Sequence, residues 1–234
     1  GIMGQAGNNY VIRNNWIVDT GVYGIFPQFG KNGLVERNVL SGIEDAAIYI
    51  GMCDNVDVRF NEVHDNVAGI EIENSRHALV EYNYAHNNTG GILAFLTQGL
   101  PIKTCYDVII RSNYIYSNNH VNFGAVGSTV SHIPKGTGIL IMAADDVTVE
   151  NNIMANNAFH PHVWYQESED VFRRNIVFGP YRPAGGMPKE AWGKEMDYNL
   201  LHQPEMAMPQ AAASMQKQSG RDEHSIMADA QFID

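Results

Sequence analysis

The sequence predicts an all-β fold, a right-handed parallel β-helix (solenoid) of roughly 8 coils, because three patterns repeat along it. The first is a column of asparagines at intervals of about 23 residues, with two longer intervals. The second is an apolar residue three positions before and two positions after each asparagine, which predicts a buried strand face in every coil. The third is another apolar strand column at the same spacing. The asparagines are Asn15, Asn38, Asn61, Asn83, Asn113, Asn152 and Asn175.

The second strand column starts in each coil with a small residue followed by isoleucine. Two or three short strands per coil, joined by Asn-rich turns, are typical of a β-helix, and no leucine-rich, ankyrin or tetratricopeptide pattern is found. We therefore expect the repeated asparagine to form an internal ladder whose amides bond up and down the stack. The strand starts are Gly24-Ile25, Ala47-Ile48, Gly69-Ile70, Gly91-Ile92 and Gly138-Ile139.

The outward position two residues before each asparagine alternates in charge. In parallel coils about 4.8 Å apart, each arginine would lie between two carboxylates. An exposed ion pair contributes only about 0.2 to 1 kcal/mol, so this column is predicted to fix register and to be structural. Its members are Arg13, Glu36, Arg59, Glu81, Arg111, Glu150 and Arg173.

The repeat predicts one elongated domain over residues 1–180 and a C-terminal capping extension over residues 181–234. The extension is irregular, with a short helix predicted at Ala211–Gln218. Gly1-Ile2 precedes Gly24-Ile25 by one repeat, so the sequence starts within a strand. We expect further coils upstream in a longer protein, together with a secretion signal.

Composition limits the partners. The chain of 234 residues has a formal net charge of −11 and no Lys/Arg cluster, which argues against nucleic acid. A polyanionic partner would need a bridging cation. No apolar stretch approaches the roughly 20 residues of a membrane span. Cys53 and Cys105 could form a disulfide or stay as free buried thiols, and the spacing leaves both open.

Two insertions, around residues 96–106 and 119–137, flank one face of the solenoid. Insertions commonly carry the function of a solenoid, and the outward residues between them are aromatic and acidic, which predicts a groove for a linear polymer. The outward residues are Phe26, Tyr49, Glu71, Leu93, Leu140 and Trp164, followed one step further along the strands by Gln28, Glu73, Phe95, Met142 and Gln166.

Glu71 and Glu73 are the main catalytic candidates. They stand two apart on one strand, so their carboxylates would lie roughly 6 to 7 Å apart on the same side. Such a pair suits an inverting glycosidase or a shared calcium ion, and the alternative is an exposed acidic strand.

Further acid or base candidates come from the loops and from the turn after them: Lys103, His132, Lys135 and His162. The substrate-binding candidates are Tyr49, Phe95, Trp164, Tyr165 and Gln166. The histidines of this region also suggest a zinc or copper site. Ordinary surface histidines would give the same pattern, so the metal is left unknown.

Three segments resemble a family of bacterial right-handed parallel β-helix repeat proteins within the pectate-lyase-like superfamily. They are residues 65–75 (DNVAGIEIENS), residues 87–93 (NNTGGIL) and, in the long insertion, Asn122-Phe123 with Gly127 and residues 134–138 (PKGTG). The resemblance covers about residues 55–160. It implies a secreted or envelope-associated β-helix. The superfamily includes polysaccharide lyases, hydrolases, epimerases and non-catalytic surface proteins. Pectate lyases use an arginine as the base, whereas the regular arginines of this chain alternate with glutamates on another face. This difference counts against a pectate-lyase mechanism.

We therefore expect a secreted, periplasmic or cell-envelope protein that binds an acidic or plant-type polysaccharide. Its chemistry would be that of a lyase, a hydrolase or an epimerase. No cofactor is required by the pattern, with calcium as the candidate ion. The alternative is a non-catalytic envelope or adhesion module that binds or scaffolds partners.

Overall fold

The computed structural model describes residues 1–165, 169–179, 194–202 and 222–231, and for residues 160–165 the backbone alone. The described chain forms three parallel sheets that wind into a β-solenoid of about eight turns, which confirms the predicted fold class. Sheet 1 contains β1 (Ile2–Gln5), β4 (Tyr23–Gln28), β7 (Ala46–Gly51), β10 (Ala68–Glu73), β13 (Gly90–Phe95), β16 (Thr137–Met142) and β19 (His160–Tyr165).

Sheets 2 and 3 complete each coil. Sheet 2 contains β2 (Val11–Arg13), β5 (Lys31–Glu36), β8 (Asp54–Arg59), β11 (Arg76–Glu81), β14 (Tyr106–Arg111), β17 (Asp145–Glu150), β20 (Val171–Arg173) and β22 (Glu195–Asp197). Sheet 3 contains β3 (Trp16–Val18), β6 (Val39–Ser41), β9 (Glu62–His64), β12 (Tyr84–His86), β15 (Tyr114–Tyr116), β18 (Ile153–Ala155), β21 (Ile176–Phe178), β23 (Leu200–His202) and β24 (Ile226–Met227).

The predicted asparagine ladder is confirmed at the bend between sheets 2 and 3. The Asn83 amide nitrogen donates to Asn113 Oδ1 at 3.0 Å and to the Val58 carbonyl at 2.9 Å, and the same pattern recurs along the column. Each side chain therefore satisfies backbone groups that the bend leaves unpaired. The ladder also continues one step beyond the prediction, because Asn175 donates to Asn199.

A second asparagine ladder lies at the bend between sheets 3 and 1. Its members are Asn66, Asn88, Asn118 and Asn157, joined by amide contacts of 2.9 to 3.0 Å. The sequence analysis missed it, although each member follows a residue of the first ladder by five positions. This ladder fixes the start of each strand of sheet 1, where the candidate site lies.

The charge column of sheet 2 is also confirmed. The strands pair in the predicted register, so Arg59 aligns with both Glu36 and Glu81. Ion pairs form at 3.2 Å from Arg59 to Glu36, at 2.8 Å from Arg111 to Glu81 and at 3.0 Å from Arg173 to Glu150.

The interior is filled by the inward residues of all three sheets, mainly valine and isoleucine. Cys53 and Cys105 lie in this core as free thiols, which settles the open question of a disulfide. Ser75 occupies the coil between them, and its hydroxyl accepts a hydrogen bond from the Cys53 backbone N–H at 2.9 Å.

One part of the predicted register in sheet 1 is wrong. The outward column runs through Tyr49, Glu71, Leu93 and Leu140 as expected, but Val163 takes the next position, which the sequence analysis gave to Trp164. The error is one residue. Val163 follows Leu140 by 23 residues, which is the ordinary interval of the repeat, so the regular spacing itself indicates Val163 at this position.

Strands β22 to β24 fall within the predicted C-terminal extension and pair with sheets 2 and 3. The helix predicted at Ala211–Gln218 lies outside the described residues. In the described part of the chain, no helix has the length and apolar character needed to span a bilayer.

Candidate functional site

The long insertion, residues 117–136, covers the outward face of sheet 1. Its 3-10 helix (Thr129–His132) and the following turn bury Val130 and Ile133 against Leu93, Phe95 and Leu140. Together these residues form a second hydrophobic cluster outside the solenoid core. The insertion therefore covers part of the open groove that was predicted between the two insertions.

The insertion lies close to sheet 1 because Gly90 has no side chain at the point of contact. A Cβ atom at Gly90 would lie 3.0 Å from Ile133 Cγ2, which is tighter than ordinary contact. The insertion is also fixed internally, since the Asn122 amide donates to the carbonyls of Val130 and Ile133 at 2.8 and 3.0 Å. The cover is thus a defined substructure of the protein.

Beside this cover lies a group of three carboxyls, Asp45, Glu71 and Glu73, which we call the carboxyl cluster. Glu71 is 1% and Glu73 8% exposed, and Asp45 is half-buried. Burial, followed by the charge of Glu73, raises the pKa of Asp45 to about 6. Burial, followed by the charges of Asp45 and Glu73, raises the pKa of Glu71 well above its usual value. The electrostatic neighbours that shift these two groups are carboxylates, so Asp45 and Glu71 keep their protons to a higher pH than ordinary carboxyls do.

Two tyrosines complete the cluster. The Tyr49 hydroxyl donates a hydrogen bond to Glu73 Oε2. Gly51 makes this contact possible, because a Cβ atom at that position would lie 2.2 Å from the Tyr49 ring. The Tyr23 ring packs against Tyr49 with centroids 4.9 Å apart. Burial and the nearby carboxylates raise the pKa of both tyrosines, which keeps their hydroxyls protonated as donors.

Asp45 was missed by the sequence analysis. It lies directly before β7, and the aligned positions before the neighbouring strands are Val22, Val67 and Thr89. A single carboxylate in an otherwise uncharged column was the available signal. The stacking of strands brings this turn within electrostatic range of Glu73, which is distant in sequence.

Several predicted site residues are not joined to the cluster. Lys103, His132 and Lys135 are exposed, and in the described part of the chain none of them makes a hydrogen bond or ion pair with the three carboxyls. His162 pairs in register with Ile139, and Tyr165 pairs with Met142. Gln166 lies outside the described residues.

The predicted substrate-binding residues Tyr49 and Phe95 are buried, with 5% and 3% of their surfaces exposed. Tyr49 supports Glu73, and Phe95 contributes to the second hydrophobic cluster. Phe26 and Gln28, in the neighbouring coil, are only partly buried, and Met3 in the first coil is 64% exposed. The outward residues Phe26 and Gln28 are therefore more exposed than the aligned Tyr49 and Glu73.

A metal role for the cluster lacks geometric support. Over residues 1–165, 169–179, 194–202 and 222–231, no group of three or more His, Cys, Asp or Glu side chains is arranged to hold an ion. Glu71 Oε1 is buried without a hydrogen-bond partner. A protonated Glu71 would leave this oxygen uncharged, in keeping with its raised pKa.

A cavity of about 430 Å³ lies between the long insertion and sheet 1. Leu93, Phe95, Leu140 and Met142 line it from the sheet, and Thr129, Val130, His132 and Ile133 line it from the insertion. Leu93 and Phe95 are the register partners of Glu71 and Glu73, so the cavity begins one strand away from the carboxyl cluster.

Comparison with known proteins agrees with this architecture. The model of a family described as the right handed beta helix region matches residues 1–175, and the chain belongs to that family. No curated protein sequence matches the chain. Among solved structures, an alginate lyase from Paenibacillus sp. str. FPU-7 is similar in fold, with a TM-score of 0.50 and 14% identity over 85% of this chain and 89% of that one.

Proposed function

We propose that this protein processes a polysaccharide outside the cytoplasm, by acid–base catalysis at the carboxyl cluster. The observation that carries the proposal is a half-buried aspartate, Asp45, with a pKa near 6 in the field of Glu73, whose side chain accepts a hydrogen bond from Tyr49. A carboxyl with a raised pKa that acts together with a second carboxyl is typical of enzymes that cleave a glycosidic bond. The likeness in fold to a polysaccharide lyase supports a carbohydrate substrate in general terms.

Hydrolysis fits the cluster better than elimination or epimerisation. In this scheme Asp45 donates its proton to the glycosidic oxygen as the bond from that oxygen to the anomeric carbon breaks. Glu73 either accepts a proton from the attacking water or attacks the anomeric carbon itself, and in the second case water then hydrolyses the covalent intermediate. Elimination beside a uronate requires a group that neutralises the substrate carboxylate, and the groups that shift the pKa of Asp45 and Glu71 are acidic.

The same charges favour a neutral polysaccharide over an acidic one. The carboxyl cluster and the net charge of −11 would repel a uronate chain, while the partly exposed Tyr23 and Phe26 rings offer apolar faces to sugar rings. The two rings stack with centroids 4.4 Å apart and both contact the Tyr49 ring, which holds them in place on sheet 1.

The test is mass spectrometry of the products after incubation with neutral and acidic polysaccharides in heavy water. We expect shortened neutral glycans that carry the mass of added water, with turnover at least about a hundredfold lower in Glu73→Gln. Asp57→Asn, which changes an outward carboxylate of sheet 2, is the matched control and should retain activity. Unsaturated products would identify a lyase, and deuterium uptake without cleavage an epimerase; both would overturn hydrolysis.

A second candidate is a non-catalytic glycan-binding module, which the outward face of sheet 3 favours. His64, His86 and Tyr116 stack in successive coils with centroids 5.1 and 4.7 Å apart, and Tyr114 stacks on Tyr116 at 4.3 Å. Tyr84 is 54% exposed on the same face. This candidate would be supported if no glycan of the panel were cleaved or modified while the protein still bound a glycan, and if Tyr84→Ala weakened that binding.

A further inference from the structure

The cavity beneath the long insertion has the properties of a ligand pocket. Its volume of about 430 Å³ falls within the range of about 300 to 1,000 Å³ that is common for small-molecule sites. An apolar cavity of about 150 Å³ already holds benzene in another protein, so this one has room for a ring with its linker or for a short acyl chain.

The lining selects the chemistry of the occupant. Six of the eight lining residues are apolar, and the two polar ones, Thr129 and His132, are exposed and therefore lie at the mouth. The neighbouring carboxyl cluster would repel an anionic group. An uncharged apolar group fits both conditions.

The position of the cavity connects it to the proposed catalytic centre. Leu93 and Phe95 form part of its wall and pair with Glu71 and Glu73 on the adjacent strand, about 4.8 Å away. A sugar held at the cluster would place a substituent of its ring within reach of this wall. One wall of the cavity therefore lies on the strand next to the one that carries Glu71 and Glu73.

We propose that this cavity binds an uncharged apolar substituent of the saccharide, an aryl or short acyl group joined to the sugar at the carboxyl cluster. The identity of the substrate rests on the proposed function, whereas the binding of an apolar group can be tested alone. Methyl cinnamate and methyl octanoate serve as uncharged probes for the aryl and acyl forms.

Isothermal titration of the two probes into the whole chain is the first experiment. We expect Thr129→Trp, which fills the mouth from an exposed position, to weaken binding of the preferred probe at least tenfold. Val126→Trp adds the same side chain to the same insertion at a fully exposed position outside the cavity and should change binding less than twofold. Equal binding by wild type and Thr129→Trp, or no binding of either probe by wild type, would overturn the proposal.

The second experiment compares aryl- or acyl-substituted glycans with the same glycans after ester removal. We expect the substituted form to be processed at least tenfold faster by wild type, with the preference lost in Thr129→Trp and kept in Val126→Trp. Equal processing of both forms would overturn the proposal that the cavity binds the substituent. If no glycan is processed while Thr129→Trp still weakens probe binding, the proposed function fails and the apolar site stands.

Discussion

Sheets 1 and 2 of this solenoid both carry buried glutamates, but the groups that neighbour these glutamates differ. Glu36 and Glu81 on sheet 2 are 5% and 7% exposed, close to the values for Glu71 and Glu73 on sheet 1. The glutamates of sheet 2 form ion pairs with arginines of the next coil at 3.2 and 2.8 Å. Those of sheet 1 interact with each other and with Asp45. Burial therefore does not separate a structural carboxylate from a reactive one, whereas the charge of its neighbours does.

The physical reason is the cost of a buried negative charge. An arginine one strand away offsets that cost, and the mutual attraction raises the pKa of Arg111 and Arg173. Where the neighbours are carboxylates, the cost is met by holding a proton, as the raised pKa of Asp45 and Glu71 indicates. A group that holds its proton near neutral pH can serve as a general acid.

The largest expected effect comes from Asp45→Asn, which removes the proton donor. We expect kcat to fall by about 10² to 10⁴-fold on the preferred glycan, with a melting temperature close to wild type. Because the acid must be protonated, wild-type kcat should decline as pH rises above about 6. A pH–rate profile that Asp45→Asn leaves unchanged would assign the proton donor elsewhere.

A smaller effect is expected from Glu81→Arg, which tests the structural face. It places a third positive charge between Arg59 and Arg111 and leaves three cations in adjacent coils. We expect a loss of about 2 kcal/mol in unfolding free energy, or roughly 4 to 8 °C in melting temperature, with turnover of the remaining folded protein unchanged. Loss of glycan binding at a temperature where the variant is folded would move the functional face to sheet 2.

The smallest effect is a gain in stability from Glu71→Gln. The folded-state pKa of Glu71 lies above its unfolded value of about 4.5, so the folded state binds more protons and wild-type stability falls as pH rises above that value. Glutamine removes this penalty. We expect a melting temperature higher by a few degrees at pH 8 and a difference near zero at pH 4, measured by calorimetry. A lower melting temperature at pH 8 would show that the charged form of Glu71 is stabilised.

Local patterns predicted most of the fold, because each coil repeats the same short-range requirements. The asparagine ladder and the arginine–glutamate column follow from spacing alone, since parallel stacking brings equivalent positions together. The same spacing places Val163 outward, 23 residues after Leu140, so the assignment of that position to Trp164 was an error of one residue against the period.

The candidate site was predicted only in part. Glu71 and Glu73 were identified because two carboxylates alternate on a strand, but their burial and the covering of the neighbouring strands were not. That covering depends on Val130 and Ile133 packing onto Leu93 and Leu140, a contact between an irregular segment and a sheet. Asp45 was missed for a related reason, since only the stacking of coils brings its turn within electrostatic range of Glu73.

The sequence by itself determined the solenoid, its register over most coils and the alternation of charge on sheet 2, because these depend on residues that repeat at the period of a coil. The tertiary structure decided that the pKa of Asp45 and of Glu71 is raised and where the apolar cavity lies. Those properties arise from desolvation and from charges in neighbouring coils and loops, and a one-dimensional pattern does not contain the distances that set them.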